Sequence, residues 1–100
     1  MEVTFLKWKC NVILGKYANS SNAIVLHSVK DGSPVATASI NLVYGGLRNN
    51  EIAIKNYSEN EGMLDCLVQA NIISKPLRYA HAGFVTIPIC KLLIENDKKI

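Results

Sequence analysis

From Val3 to Leu14 the side chains alternate. Leu6, Trp8, Cys10, Val12 and Leu14 fall on one face, and Lys7, Lys9 and Asn11 fall on the other with Phe5 and Ile13. A period of two predicts a half-buried strand over residues 3–14. The segment GKYANSSN at 15–22 gathers small, polar and turn-forming residues and predicts a reversal. Residues 23–29 read as a second strand, with β-branched Ile24, Val25 and Val29. The Asp31-Gly32 step, flanked by Lys30, Ser33 and Pro34, is a hairpin signal, because glycine takes the positive φ that a twisted hairpin demands. A third strand follows over 35–43, with Ala36, Ala38, Ile40 and Leu42 on one face and Thr37, Ser39 and Asn41 on the other.

Tyr44-Gly45-Gly46 breaks this strand, and a polar connection through Arg48, Asn49 and Asn50 leads to a fourth at 51–55, with Ile52 and Ile54 inward. The pattern then changes to helical spacing. Met63 or Leu64, Leu67, Val68 and Ile72 recur on one stripe that predicts a helix lying on the sheet. Ser58 and Glu61 have the spacing of a capping box, Glu59 and Glu61 put negative charge near the helix start, and Asn71 is the expected C-terminal cap. After Pro76, residues 77–80 predict a short strand, His81-Ala82-Gly83 a turn, and 84–93 the last long strand. Pro88 lacks an amide donor and marks an edge or a bulge in that strand. The periodicities together predict an α+β domain over 1–94: a twisted, mostly antiparallel sheet of about five strands packed on one helix, with a charged tail at 95–100.

Composition bounds the chemistry. At 100 residues with 49% hydrophobic and 19% charged side chains, the chain has enough apolar surface for one core and no material for a second. The formal charge of +3 comes from basic residues scattered along the chain, which argues against nucleic acid as a direct ligand. The first residues lack the basic leader and apolar core of a signal peptide, and no apolar run approaches the roughly 18 residues of a membrane span. Cys10, Cys66 and Cys90 are an odd number without a paired spacing, as expected of reduced thiols in a cytoplasmic protein.

Candidate catalytic groups do not assemble in the sequence. His27 and His81 have no closely spaced thiols with which to hold zinc, and all three cysteines sit in segments that read as buried. The chain therefore reads as a non-enzymatic protein without cofactor or metal. Its most distinctive polar stretch is Lys55, Asn56, Tyr57, Ser58, Glu59 and Asn60, the candidate binding residues, where free amides at a helix start could hold an anion or a partner's carboxylate. The competing reading is that Ser58 and Glu61 already occupy those amides as a cap.

Three segments carry a resemblance: KYANSSNAIVLHSVKDGSPVATASINL at 16–42, IKNYSENEGMLDCLVQANII at 54–73 and GFVTIPICKLL at 83–93. In this order the chain resembles a family of small proteins, classed as a domain of unknown function, carried by phages, plasmids and integrative elements of bacteria. KNYSENEGML and GFVTIPICKL are the specific parts of the likeness. It implies a mobile-element setting in the bacterial cytoplasm. By analogy it implies an inhibitor of a host defence system, of the anti-CRISPR type, acting by protein–protein contact on a defence protein or its complex. Two alternatives are a module that sequesters a nucleotide signal, with Lys55, Arg78 or Arg48 converging on phosphates, and a nucleic-acid-binding regulator. A homodimer is expected if one helix leaves apolar sheet uncovered.

Overall fold

The structure is a computed structural model and describes residues 1–42 and 46–94. The end of the expected third strand, the Tyr44-Gly45 break and the charged tail lie outside the described residues. Among them, eight strands and one α-helix follow in chain order. They are β1 (Glu2–Phe5), β2 (Trp8–Lys16), β3 (Asn22–Ser28), β4 (Pro34–Thr37), β5 (Ser39–Ile40), β6 (Glu51–Ile54), α1 (Met63–Gln69), β7 (Arg78–Ala82) and β8 (Val85–Lys91). The strands form two antiparallel four-stranded sheets, ordered β1-β2-β3-β4 and β5-β6-β8-β7. The α+β class with antiparallel strands on one helix is as the periodicity predicts, with eight strands in two sheets in place of about five in one.

Two predicted strands are each divided. Residues 3–14 are not one strand, because Leu6 and Lys7 make a two-residue reversal that pairs Phe5 with Trp8. Leu6 holds φ 55° there, a left-handed conformation that costs a branched side chain about 1 kcal/mol. No glycine or asparagine announces the turn, and alternation runs through it unbroken, so the pattern reads as continuous. Burial of Val3 and Phe5 beside Cys10 orients this hairpin.

Residues 35–43 are likewise divided, at Ala38. Its amide donates to the carbonyl of Ile24 in the first sheet, while its carbonyl accepts from the amide of Lys55 beside the second. Ala38 is thus the corner at which the chain passes from one sheet to the other, and it is fully buried. A small side chain suits a corner where two sheets converge.

The helix begins later than the capping box predicts. Ser58–Asn60 form a single 3-10 turn, Ser58 itself at φ 55°, and Gly62 at φ 94° redirects the chain into α1. Neither Ser58 nor Glu61 caps the helix. The side-chain oxygen of Asn56 accepts from the Leu64 amide at 2.8 Å and satisfies one free donor of the first turn. Asp65, not Glu59 or Glu61, is the acid in that turn.

At the other end, Asn71 acts as expected. At φ 61° it donates to the Val68 carbonyl, and the next amide, of Ile72, donates to Leu67. This is a complete Schellman closure, sealed by the buried Leu67 and Ile72 side chains.

Met63, Leu67 and Ile72 of the predicted stripe are buried, together with Ile73. They pack in one core with Val3, Phe5, Cys10, Ile24 and Leu26 of the first sheet and Ile52, Ile54 and Cys90 of the second. Trp8, expected on the inner face, lies at the rim and is 46% exposed.

The last hairpin turns at Gly83-Phe84, not at His81-Ala82-Gly83, with Gly83 at φ 61° and Ala82 paired to Val85. Pro88 faces Tyr79 in a strand whose ladder to β6 starts one residue later, at Ile89. β8 lies between β6 and β7, so it is not the edge strand that the proline predicts, and its register with β7 runs through Pro88 without a bulge. The missing amide is tolerated because it falls just beyond the β6 ladder. Among the described residues, no helix is long and apolar enough to cross a membrane.

Candidate functional site

The segment 55–60 nominated from the sequence is a corner that leaves the end of β6 and reaches the helix. Much of its polarity is spent on the corner itself. Asn60 is 1% exposed, and its amide nitrogen donates to the carbonyls of Thr37 at 2.7 Å and Lys55 at 3.2 Å, tying the corner to the strand before Ala38. Asn56 holds the Leu64 amide. One of the helix amides that the sequence offers to a ligand, that of Leu64, is therefore already taken.

What remains outward is Lys55, Tyr57, Ser58 and Glu59. Lys55 pairs with Glu59 at 2.5 Å, and its ammonium lies 5.6 Å from the centre of the Tyr57 ring. The hydrogen bond to Glu59 raises the Lys55 pKa above its ordinary value, and the same bond lowers that of Glu59.

Arg78, nominated with Lys55 and Arg48 as a phosphate ligand, is engaged elsewhere. Its guanidinium binds both oxygens of Glu51, each at 2.8 Å, and also donates to the Gly46 carbonyl. Arg48 adds its backbone amide to the same carboxylate at 3.0 Å. These bonds, with Arg78 first, bring the Glu51 pKa down from 4.5 to about 2 against the opposing effect of desolvation. Glu51 and Lys55 stand at opposite ends of β6, so Arg78 and Lys55 do not converge.

A surface that the periodicity does not single out lies on the β7–β8 hairpin. Phe84, at the turn, is fully exposed, and Tyr79 and Leu77 are more than half exposed. Among the described residues β7 is the outer strand of its sheet, and one row of its backbone donors and acceptors has no strand beside it. β6 runs antiparallel to β8, which puts the corner after Ile54 and the Gly83-Phe84 turn at the same end of this sheet. A signal for this surface was present in the sequence. Gly83-Phe84 stands between two β-rich runs, and a turn phenylalanine has no core to enter.

Two concavities also mark the surface of the described residues. One, of about 250 Å³, is lined by Leu14, Lys16, Asn22, Asn49, Leu92 and Ile94 among others. Its buried polar residue, Asn22, is fully engaged: it accepts from Lys16 and donates to the carbonyls of Asn49 and Glu51. The other, of about 340 Å³, lies between the β1–β2 and β3–β4 turns and is lined by Lys7, Trp8, Lys9, Ser28, Val29 and Lys30. Basic residues far apart in sequence thus meet in space at one place.

The thiols are unpaired, Cys10 and Cys90 buried and Cys66 half-buried. Burial raises the pKa of all three, and that of Cys90 reaches about 11. His27 is half-buried in β3 opposite Asn11, and His81 is exposed on β7. Among the described residues, no group of three or more His, Cys, Asp or Glu side chains is placed to hold a metal ion. Compared with known proteins, the chain matches no family model, no curated sequence and no solved structure.

Proposed function

We propose that the chain is a non-enzymatic binding protein of a mobile genetic element, acting in the bacterial cytoplasm to block a host defence complex by protein–protein contact, as anti-CRISPR proteins do. The observation that carries the binding role is Phe84, fully exposed at a hairpin tip beside the half-exposed Tyr79 on an outer strand. Aromatic side chains are the commonest anchors of protein interfaces, and an unpaired strand edge adds main-chain hydrogen bonds to a partner. The corner carrying Lys55, Tyr57 and Glu59 stands at the same end of the sheet and supplies a polar rim to that contact. The mobile-element setting and the choice of a defence complex rest on the resemblance carried by KNYSENEGML and GFVTIPICKL.

The test is an interference assay in bacteria with an active defence system, with and without the chain, followed by co-purification from the same cells. Expected is restored phage plaquing, with one defence component recovered at near-equal stoichiometry. Phe84→Asp and Tyr79→Asp should abolish both while leaving the melting transition in place. Restored plaquing that survives both substitutions removes the hairpin from the contact. Unrestored plaquing across the defence types tried removes the inhibitor reading. Sedimentation of the pure chain tests whether a second copy takes the β7 edge; a dimer broken by the same substitutions would assign the edge to self-association.

A further inference from the structure

The cleft between the β1–β2 and β3–β4 turns is built from cations around one aromatic ring. Lys7 and Lys9 flank Trp8 in sequence, and Lys30 is brought beside them because the Val29 amide donates to the Lys9 carbonyl at 3.0 Å. Among the described residues, none of these lysines has a carboxylate within ion-pairing distance, whereas Lys55 and Arg78 both do. The one nearby acid in sequence, Asp31, is turned to its own loop, where it accepts from the Ser33 amide at 3.0 Å and the Ser33 hydroxyl at 2.7 Å. Three lysines therefore line the cleft, and Asp31, the acid next to Lys30, is already engaged.

The ring is open to a ligand. Trp8 is 46% exposed although it shares a strand face with buried Cys10, and the Lys7 ammonium already lies 5.7 Å from the ring centre. That contact is a cation–π pair, which keeps the ammonium beside the indole. Val29, 39% exposed, extends the apolar floor. The volume of about 340 Å³ falls at the lower end of the range of small-ligand sites, about 300–1,000 Å³.

We infer that this cleft binds a nucleotide, its base against Trp8 and Val29 and its phosphate among Lys7, Lys9 and Lys30. An aromatic platform beside cations is the physical requirement for holding an unpaired base on a charged backbone. Phosphate alone would use the lysines and leave the indole idle; an acidic peptide would do the same. The site is separate from the β7–β8 hairpin and does not depend on it. The nucleotide has two sources, a free nucleotide and a single strand, and they share this chemistry.

Trp8 is the only tryptophan of the chain, so its fluorescence reports its own site. The intact protein is titrated with a twenty-residue oligothymidylate, with AMP, with tripolyphosphate and with polyglutamate, each corrected for absorbance. Expected is saturable quenching by the oligothymidylate or by AMP, weakened tenfold or more in the Lys7→Glu, Lys9→Glu, Lys30→Glu triple variant. For the strand, three phosphate contacts predict a slope of about −2 in log affinity against log salt. Trp8→Phe, followed by competition with a labelled oligonucleotide or AMP, keeps the platform and should retain most of the binding, whereas Trp8→Ala should lose about tenfold. Preference for the strand over AMP assigns the source as single-stranded nucleic acid, and the reverse assigns a free nucleotide. Absence of saturable quenching by either overturns the inference, as does equal binding of tripolyphosphate or polyglutamate, or binding that the triple variant retains in full. Circular dichroism of each variant separates lost binding from lost fold.

Discussion

Arg78 reaches across β8 to clasp Glu51, with both carboxylate oxygens held at 2.8 Å. The two residues share a strand face because Arg78 pairs with Ile89, Ile89 with Ala53, and Glu51 lies two residues from Ala53. This face is opposite to the one that Ile52 and Cys90 turn to the core. The bonds from the Arg48 amide to Glu51 and from Arg78 to the Gly46 carbonyl bring the segment 46–48 over it. One buried carboxylate therefore fastens the outer strand, the inner strand and the connection before β6 to one another.

That carboxylate should govern acid stability. Its pKa in the folded chain is about 2, below the ordinary 4.5, so its contribution is complete above about pH 4.5 and is lost as pH falls toward 2. Urea midpoints at pH 7, 5, 3 and 2 should fall over the last two steps. Glu51→Gln should cost about 1–2 kcal/mol at pH 7, a moderate figure because Arg78 is 43% exposed, and should flatten the acid limb. An unchanged acid limb in the variant would mean that other carboxylates carry the effect.

The helix start separates two readings by mutation. If Asn56 is the side chain that satisfies the Leu64 amide, Asn56→Ala should cost about 1–2 kcal/mol, while Ser58→Ala stays within about 0.5. Ser58→Gly should be neutral or stabilising, because Ser58 holds φ 55°. Thermal melts of the three variants decide between the capping box and the observed geometry.

Reduced, buried thiols predict a pattern of reactivity. At pH 8 a thiol-specific disulfide reagent should label Cys66 first and slowly, since it is half-buried and burial raises its pKa. Cys10 and Cys90, both at 0% exposure, should wait for unfolding, Cys90 most of all with a pKa near 11. Prompt labelling of all three thiols would contradict the packing described.

Strand alternation and the helical stripe were legible because each writes burial directly into residue spacing. Ile52, Ile54, Met63, Leu67 and Ile72 are all in the core. The Leu6-Lys7 reversal was not legible, since the turn is imposed by tertiary packing on residues that carry no turn signature. The corner at Ala38 was hidden for a related reason: alternation persists on both sides while the strand changes sheet. At the candidate site, the six residues 55–60 were found as a unit, but their division of labour was not. Spacing cannot tell that Asn60 is buried and Ser58 and Glu59 are exposed, because the corner has no period. The convergence of Lys7, Lys9 and Lys30 depends on the register of β2 with β3 and is invisible in a chain where they are scattered.

Asn60 illustrates why a polar residue in a distinctive motif should be tested for fold before binding. At 1% exposure its side-chain amide serves two carbonyls, of Thr37 and Lys55, and the side chain itself is shut away from solvent. Asn60→Ala should therefore cost about 2–3 kcal/mol by leaving those acceptors short of a donor. Asn60→Asp should cost more at pH 7, where a carboxylate would face two carbonyl oxygens. Its folded-state pKa would then be raised, so the variant should regain stability relative to the parent as pH falls to 4 and the protonated oxygen can donate. Urea denaturation of parent and both variants at the two pH values checks the sign. A binding assay on Asn60 variants without this control would report a loosened corner as a lost contact, whereas Phe84, fully exposed, can be changed with the fold intact.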